Sequence, residues 1–289
     1  MKLKGRYAII TGASQGLGAA IAEAYINEGA SVLACARNAQ PLQALIARLS
    51  GRLTPGQTIT AHRCDVGDPA QIDELVDIAR RIFPHVDILV NNAGVYGPMG
   101  TIEEVDWSEW VSAIHVNLLG TVYPCRALMP HFKQRGYGKI VNLSGGGATN
   151  PMPRVSAYAA SKAAVVRFTE TLAEEVKPFR IDINAVAPGA LATRLTDQLI
   201  EAGPEKVGGA FHARMMKIRD EGGTPLIKGA EACVYLASAE SDGITGKLIS
   251  AIWDPWPDLQ RHAADLAGTD IYTLRRIVPA DRGKNWENS

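Results

Sequence analysis

Thr11-Gly12-Ala13-Ser14-Gln15-Gly16-Leu17-Gly18 follows directly on the apolar run Tyr7-Ala8-Ile9-Ile10 and leads into a helical pattern over residues 19–28. A strand that ends in three spaced glycines and opens into a helix reads as a phosphate-binding turn. Glycine accepts φ > 0 and has no Cβ, so the backbone turns sharply and approaches a pyrophosphate closely. A helix beginning near Gly16 aims free N–H groups and the positive end of its dipole at that anion. Tight packing produces similar turns, so the meaning depends on what lies downstream.

Strand-like runs recur at residues 7–11, 31–36, 58–63, 88–91, 139–143 and 182–186, separated by helical patterns at 17–28, 41–50, 69–83, 108–133 and 157–177. Near-continuous apolar strands alternating with helices predict an α/β fold, a parallel sheet covered on both faces. In such sheets ligands bind beyond the carboxyl ends of the strands, so the residues after each strand carry the information. Residues 191–225 are polar and glycine-rich with helical patches and no clear strand. Residues 1–250 read as one dinucleotide-binding and catalytic domain, with 251–289 an extension of it too short for its own core.

Composition narrows the class. The 289 residues are 46% hydrophobic and 21% charged, with 30 basic and 30 acidic side chains. That balance suits a globular protein and gives no reason to expect a nucleic-acid partner or an anionic membrane surface. Cys35, Cys64, Cys125 and Cys233 lack metal-ligand spacing, so no metal site is expected. No signal peptide and no run of transmembrane length is visible, and a cytoplasmic location is expected.

After the second strand comes Ala36-Arg37-Asn38, with no acid from Gly29 to Asn38. An Asp or Glu about 20 residues past the glycines binds the ribose 2′-hydroxyl of NAD, whereas an Arg accommodates the 2′-phosphate of NADP. Arg37 therefore favours NADP over NAD. Asp65-Val66 follows the third strand, where a carboxylate reaches an adenine amino group, and Asn91-Asn92-Ala93-Gly94 follows the fourth. After the fifth come Tyr158 and, four residues on, Lys162. That spacing puts phenol and ammonium on one helical face, and the positive charges of the ammonium and of a nicotinamide ring favour the phenolate.

Taken together and in this order, these motifs resemble the short-chain dehydrogenase/reductase family in its single-domain form. The resemblance runs from about Gly5 to about Gly246 and includes Asn117 in Val116-Asn117-Leu118 and Pro188-Gly189 followed by Thr193. It implies a doubly wound Rossmann sheet of about seven strands and hydride transfer between the nicotinamide and a carbonyl or alcohol carbon. By the same resemblance Tyr158 is the proton donor and acceptor, and Lys162 binds the nicotinamide ribose and tunes Tyr158. Asn117 holds a water that relays protons to Lys162. Gly12, Ser14, Gln15, Gly16, Leu17, Gly18, Asn92, Ala93, Gly94, Pro188, Gly189 and Thr193 line the cofactor, beside Arg37, Asp65 and Val66. A homodimer or homotetramer is expected.

Two departures stand out. The family's catalytic serine lies thirteen residues before the tyrosine, and that position is Gly145; the nearest hydroxyl is Ser144. A one-residue shift in a regular strand reverses the side chain's face, so Ser144 fills the catalytic role only where the run Gly145-Gly146-Gly147 bends the backbone. The chain also continues past Thr245-Gly246 through Trp253-Asp254-Pro255-Trp256, which either caps the substrate cleft, packs on a neighbouring subunit or wraps the surface. The reading is an NADP(H)-dependent oxidoreductase interconverting a secondary alcohol and a ketone. Its rival is a cofactor-binding sensor or scaffold with little turnover.

Overall fold

A computed structural model describes residues 1–286. The strands are β1 (Tyr7–Thr11), β2 (Ser31–Ala36), β3 (Ile59–Arg63), β4 (Ile88–Asn91), β5 (Gly138–Leu143), β6 (Ile181–Ala187) and β7 (Leu248–Ser250). The helices are α1 (Gly16–Asn27), α2 (Ala39–Ser50), α3 (Pro69–Ile82), α4 (Trp107–Ile114), α5 (Gly120–Arg135), α6 (Ser156–Val176), α7 (Arg194–Val207), α8 (Gly209–Asp220), α9 (Leu226–Ala237) and the one-turn α10 (Ala263–Leu266). All seven strands are parallel, in the order β3-β2-β1-β4-β5-β6-β7. The order reverses between β1 and β4, which opens a crevice at the strand ends where such sheets bind dinucleotides.

Side-chain alternation builds two cores, one on each face of the sheet. Ala8, Ile10, Val32 and Ala34 join Ile21 and Tyr25 of α1, Leu45 of α2 and Tyr235 of α9. Ile9, Leu33 and Cys35 face the other way, onto Leu75 of α3, Leu128 and Phe132 of α5 and Val176 of α6. The doubly wound Rossmann fold expected from the strand-helix alternation is present. Several helix starts are set by short polar side chains: Asn38 accepts from Gln40 N, Asp68 from Ala70 N ahead of Pro69, and Asp106 from Glu109 N. All four cysteines are buried and free.

Three regions differ from the strand-and-helix reading. The helical pattern 108–133 is two helices, α4 and α5, joined by a π turn at His115–Leu119. There the Thr121 hydroxyl donates to Asn117 O at 2.9 Å, a side-chain competitor inside the helical ladder. The strandless segment after β6 folds as α7 and α8, with Gly203 at φ +80 interrupting the first. β7 has only three residues and too little pattern to show in sequence. Its outer edge is covered by the C-terminal extension: Leu248 N donates to Tyr272 O at 2.8 Å, and Lys247 Nζ donates to Thr269 O and Ile271 O at 2.9 and 3.0 Å. No helix among the described residues is long and apolar enough to cross a membrane.

Candidate active site

The glycine turn closes the carboxyl end of β1. Gly12 has φ +63, and a Cβ on Gly18 would lie 2.3 Å from Gly12 O and 2.4 Å from Asn92 Nδ2, so both positions demand glycine. Asn92 donates from Nδ2 to Thr11 O and Gly12 O at 3.0 and 3.1 Å, and Thr11 Oγ1 accepts from Asn92 N and Ala93 N. The Asn92 side chain therefore shapes the turn. Gln15 opens α1 without a side-chain cap, and no acid occupies the first turn. The first N–H groups of α1 thus stay open to an anion. Across the crevice the methyl of Thr193 lies 3.5 Å from where a Gly16 Cβ would stand, and the Thr193 hydroxyl does not cap α7.

These residues line one cavity of about 1530 Å³, larger than the ~300–1,000 Å³ of a drug-sized pocket. Its wall contains Gly12, Ser14, Gln15, Gly16, Leu17, Gly18, Arg37, Val66, Asn92, Ala93, Gly94, Pro188, Gly189 and Thr193, together with Ser144, Tyr158 and Lys162. Arg37 is exposed at the end of β2, and its side chain has no ion pair among the described residues. Asp65 does not line the cavity. Its Oδ1 accepts from Gly67 N at 3.0 Å, which places Cys64 and Val66 on the wall instead. The open helix end, the glycine cradle and the cavity's size fit a dinucleotide.

At the other end, α6 presents Tyr158 and Lys162 from one face. Lys162 is buried and donates from Nζ to Leu143 O at 2.7 Å, with the ammonium 5.8 Å from the centre of the Tyr158 ring. Burial lowers its pKa to about 8. For Tyr158 burial also dominates, with Tyr96 adding to it, and the phenol is pushed well above its ordinary value. Among the protein's own groups, then, desolvation outweighs the ammonium expected to favour the phenolate, because Lys162 is turned to the Leu143 carbonyl. Asn117 sits in the π turn beside this pair but does not line the cavity. Its Oδ1 accepts from Val95 N, and its Nδ2 donates to Val95 O and Ser161 Oγ, all between 2.8 and 2.9 Å. The side chain fixes the backbone after Gly94 against α6.

Gly145, not Ser144, stands opposite the Tyr158 hydroxyl. The expectation required a bend in the glycine run, but Gly145 is extended, at φ −179 and ψ 174. A Cβ on Gly145 would lie 2.3 Å from the Tyr158 hydroxyl, so the position opposite the phenol is the glycine's. Alternation turns Ser144 the other way, and its Oγ is buried with no hydrogen-bond partner among the described residues. Three contributors take contacts that no stretch of sequence displays. Thr11 anchors the turn, Tyr96 lies 4.5 Å ring to ring from Tyr158, and Ile252, Trp253 and Asp254 of the extension line the cavity. For the tail this is the first of its three expected roles, a cap on the cleft, as far as lining the cavity goes.

A Rossmann crevice with a glycine turn at one end and a Tyr–Lys pair at the other is the setting of an NAD(P)-dependent oxidoreductase acting on CH–OH groups. The chain belongs to the short-chain dehydrogenase/reductase family: the family model described as short chain dehydrogenase matches residues 6–203. It is 37% identical over 197 residues to D-threitol dehydrogenase of Mycolicibacterium smegmatis, covering 67% of this chain and 73% of the relative. Levodione reductase superposes with a TM-score of 0.79 at 25% identity, over 90% of this chain and 99% of that one. A gluconate 5-dehydrogenase from Burkholderia cenocepacia, solved with NADP and tartrate, superposes with a TM-score of 0.75 at 28% identity, over 86% and 94%.

Proposed function

We propose that this chain is an NADP(H)-dependent oxidoreductase that interconverts a secondary alcohol and a ketone, with Tyr158 as general acid and base. The reading is carried by the placement of the Tyr158 phenol and the Lys162 ammonium in the same cavity as the glycine turn. The bound nicotinamide supplies or accepts the hydride. Tyr158 hands its proton to the substrate oxygen in reduction and takes it back in oxidation. Burial pushes the Tyr158 phenol up, so the protein's own groups favour its protonated form. Lys162, held by Leu143 O, reaches the nicotinamide ribose, and Asn117 acts by positioning Val95 and Ser161. Gly145 leaves Tyr158 without a serine partner, so the phenol polarises the carbonyl alone. Arg37, exposed and unpaired at the end of a strand that lacks an acid, receives the 2′-phosphate; the similar gluconate 5-dehydrogenase was solved with NADP.

The test is nicotinamide absorbance with NADPH and a panel of ketones, with binding measured by nicotinamide fluorescence. Tyr158→Phe is expected to lower turnover about 10²–10⁴-fold while NADPH affinity stays within about twofold. Equal loss of both would make Tyr158 structural. Binding of NADPH without turnover of any ketone or alcohol would favour the sensor. Tighter binding of NADH than of NADPH would remove the role given to Arg37.

A further inference from the structure

The substrate end of the cavity has an apolar wall and a cationic rim, and the cofactor site explains neither. Beside Tyr158, the side chains of Tyr96, Met152, Val207, Phe211, Met215 and Ile218 pack into one cluster and line the cavity. Two phenols are the only hydroxyls that these side chains carry, and Gly145 adds none; the polar side chains that also line the cavity, Thr149, Asn150, Thr196 and Gln198 among them, are not part of this cluster. A substrate rich in hydroxyls would leave several of them unpaired against this wall, and each such group is costly to bury.

Besides Arg37, the cavity is lined by Arg154, Arg194 and Arg214, and of these Arg154 and Arg214 adjoin residues of this cluster in sequence. Arg154 has φ +68, a left-handed conformation rare for a side-chain-bearing residue and often found where function requires it. Its Nη1 donates to Glu205 O at 2.8 Å, and its Cδ lies 3.7 Å from where a Gly208 Cβ would stand, so the guanidinium is laid over the α7–α8 junction. Arg214 lies on the same face of α8 as Phe211, Met215 and Ile218. It has no ion pair or hydrogen bond among the described residues, whereas Arg219 and Lys217 on the same helix pair with Asp220 and Glu221. The acids on this wall, Asp197 and Asp254, pair with neither arginine, and Asp254 Oδ2 is bound by Ser250 N at 2.6 Å.

We infer that the substrate is a ketone, or its alcohol, with an apolar body and a terminal carboxylate or phosphate held by Arg154 and Arg214. This rests on the oxidoreductase reading above. The apolar body fills the wall around Tyr158, and the oxyanion meets two guanidinium groups whose planar forks match it.

The experiment measures kcat/KM with NADPH for 8-oxononanoate, its methyl ester, 7-oxooctyl phosphate and fructose. At least one anion is expected to exceed the ester by about tenfold or more, through KM, as suits hydrogen bonds to a charged group. Whichever anion leads identifies the headgroup, and fructose is expected to be the slowest. Arg154→Gln and Arg214→Gln each bring the anion-to-ester ratio toward one, and raised salt shrinks it. Arg219→Gln, on the same helix, leaves the ratio unchanged. An ester as good as both anions, fructose faster than the ester, or arginine variants that slow ester and anion equally would overturn the inference while leaving the oxidoreductase standing. If none of these and no ketone of the wider panel is turned over, the oxidoreductase reading itself fails and the inference goes with it.

Discussion

Gly145 faces the Tyr158 hydroxyl and brings no hydroxyl of its own to it. Its place thirteen residues before Tyr158 was legible in the sequence; its extended backbone was not, because three consecutive glycines permit either a bend or a straight run. The geometry gives opposite expectations for two neighbouring substitutions. Ser144→Ala removes an oxygen that has no hydrogen-bond partner among the described residues and is expected to change kcat less than about twofold, with no loss of stability. Gly145→Ser brings a Cβ within 2.3 Å of the Tyr158 hydroxyl and must displace the phenol, so kcat should fall about a hundredfold, the scale for losing a positioned group. Steady-state kinetics on the two variants decides the matter, and a slow Ser144→Ala enzyme would return the catalytic hydroxyl to Ser144. Lys162 offers a test by pH. An unfolded Lys keeps its proton up to 10.5, whereas burial makes the folded group release it at about 8. Between these values the unfolded chain binds more protons, so stability rises with pH across that window. The burial cost is present in full below about 8 and absent above 10.5. Lys162→Met should therefore be stabilised relative to wild type at pH 7, on the order of 3 kcal/mol, with the difference vanishing near pH 10.5. Denaturant unfolding of both proteins across that range checks it, and a constant difference would show that Lys162 has an ordinary pKa.

Secondary-structure elements were legible in proportion to their length and periodicity. β1 and β2 stood out because long apolar runs separate two buried faces, and their alternation supplies both cores. β7, with three residues, and the π turn inside the pattern 108–133 were not, since neither changes the local composition enough to register. The extension read only as anomalous. Its contacts are mostly backbone to distant side chains, which no sequence window contains. Leu274 N donates to Glu170 Oε1 at 2.6 Å, and Tyr272 O and the carbonyls bound by Lys247 complete a strap along the edge of β7. An uncovered edge strand exposes ladder groups and invites pairing with other chains. Truncation after residue 268 removes these four hydrogen bonds, at about 0.5–1.5 kcal/mol each, and should lower stability by about 2–6 kcal/mol. It should also make the protein self-associate on heating. Calorimetry with light scattering would show both, and unchanged melting would mean that the strap adds nothing to the edge it covers.

On the scale of the whole molecule the sheet has a chemical end and a structural end. The carboxyl ends of the strands hold the glycine turn, Tyr158 and Lys162. The amino ends hold buried charges: Lys139 with Asp182 and Asp242, each at 2.7 Å, and Asp87 with Arg6, His85 and Arg135. Strand β5 joins the two ends, since Lys139 lies near its start and Leu143, whose carbonyl holds Lys162, lies at its close. Four residues at about 3.3 Å each put roughly 13 Å between them. Nothing at the structural end was legible in sequence, because a Lys inside a strand reads as an exposed residue until its partners, 43 and 103 positions downstream, are brought beside it. Lys139→Met leaves Asp182 without its cation in a buried setting and should cost about 3 kcal/mol of stability. Because β5 is held by β4 and β6 along its length, the Leu143 carbonyl should keep its place below the melting transition. Then kcat and KM per folded molecule stay at wild-type values while the melting temperature falls. A kcat that drops with the melting temperature would show that the charge cluster at one end of β5 sets the position of Lys162 at the other.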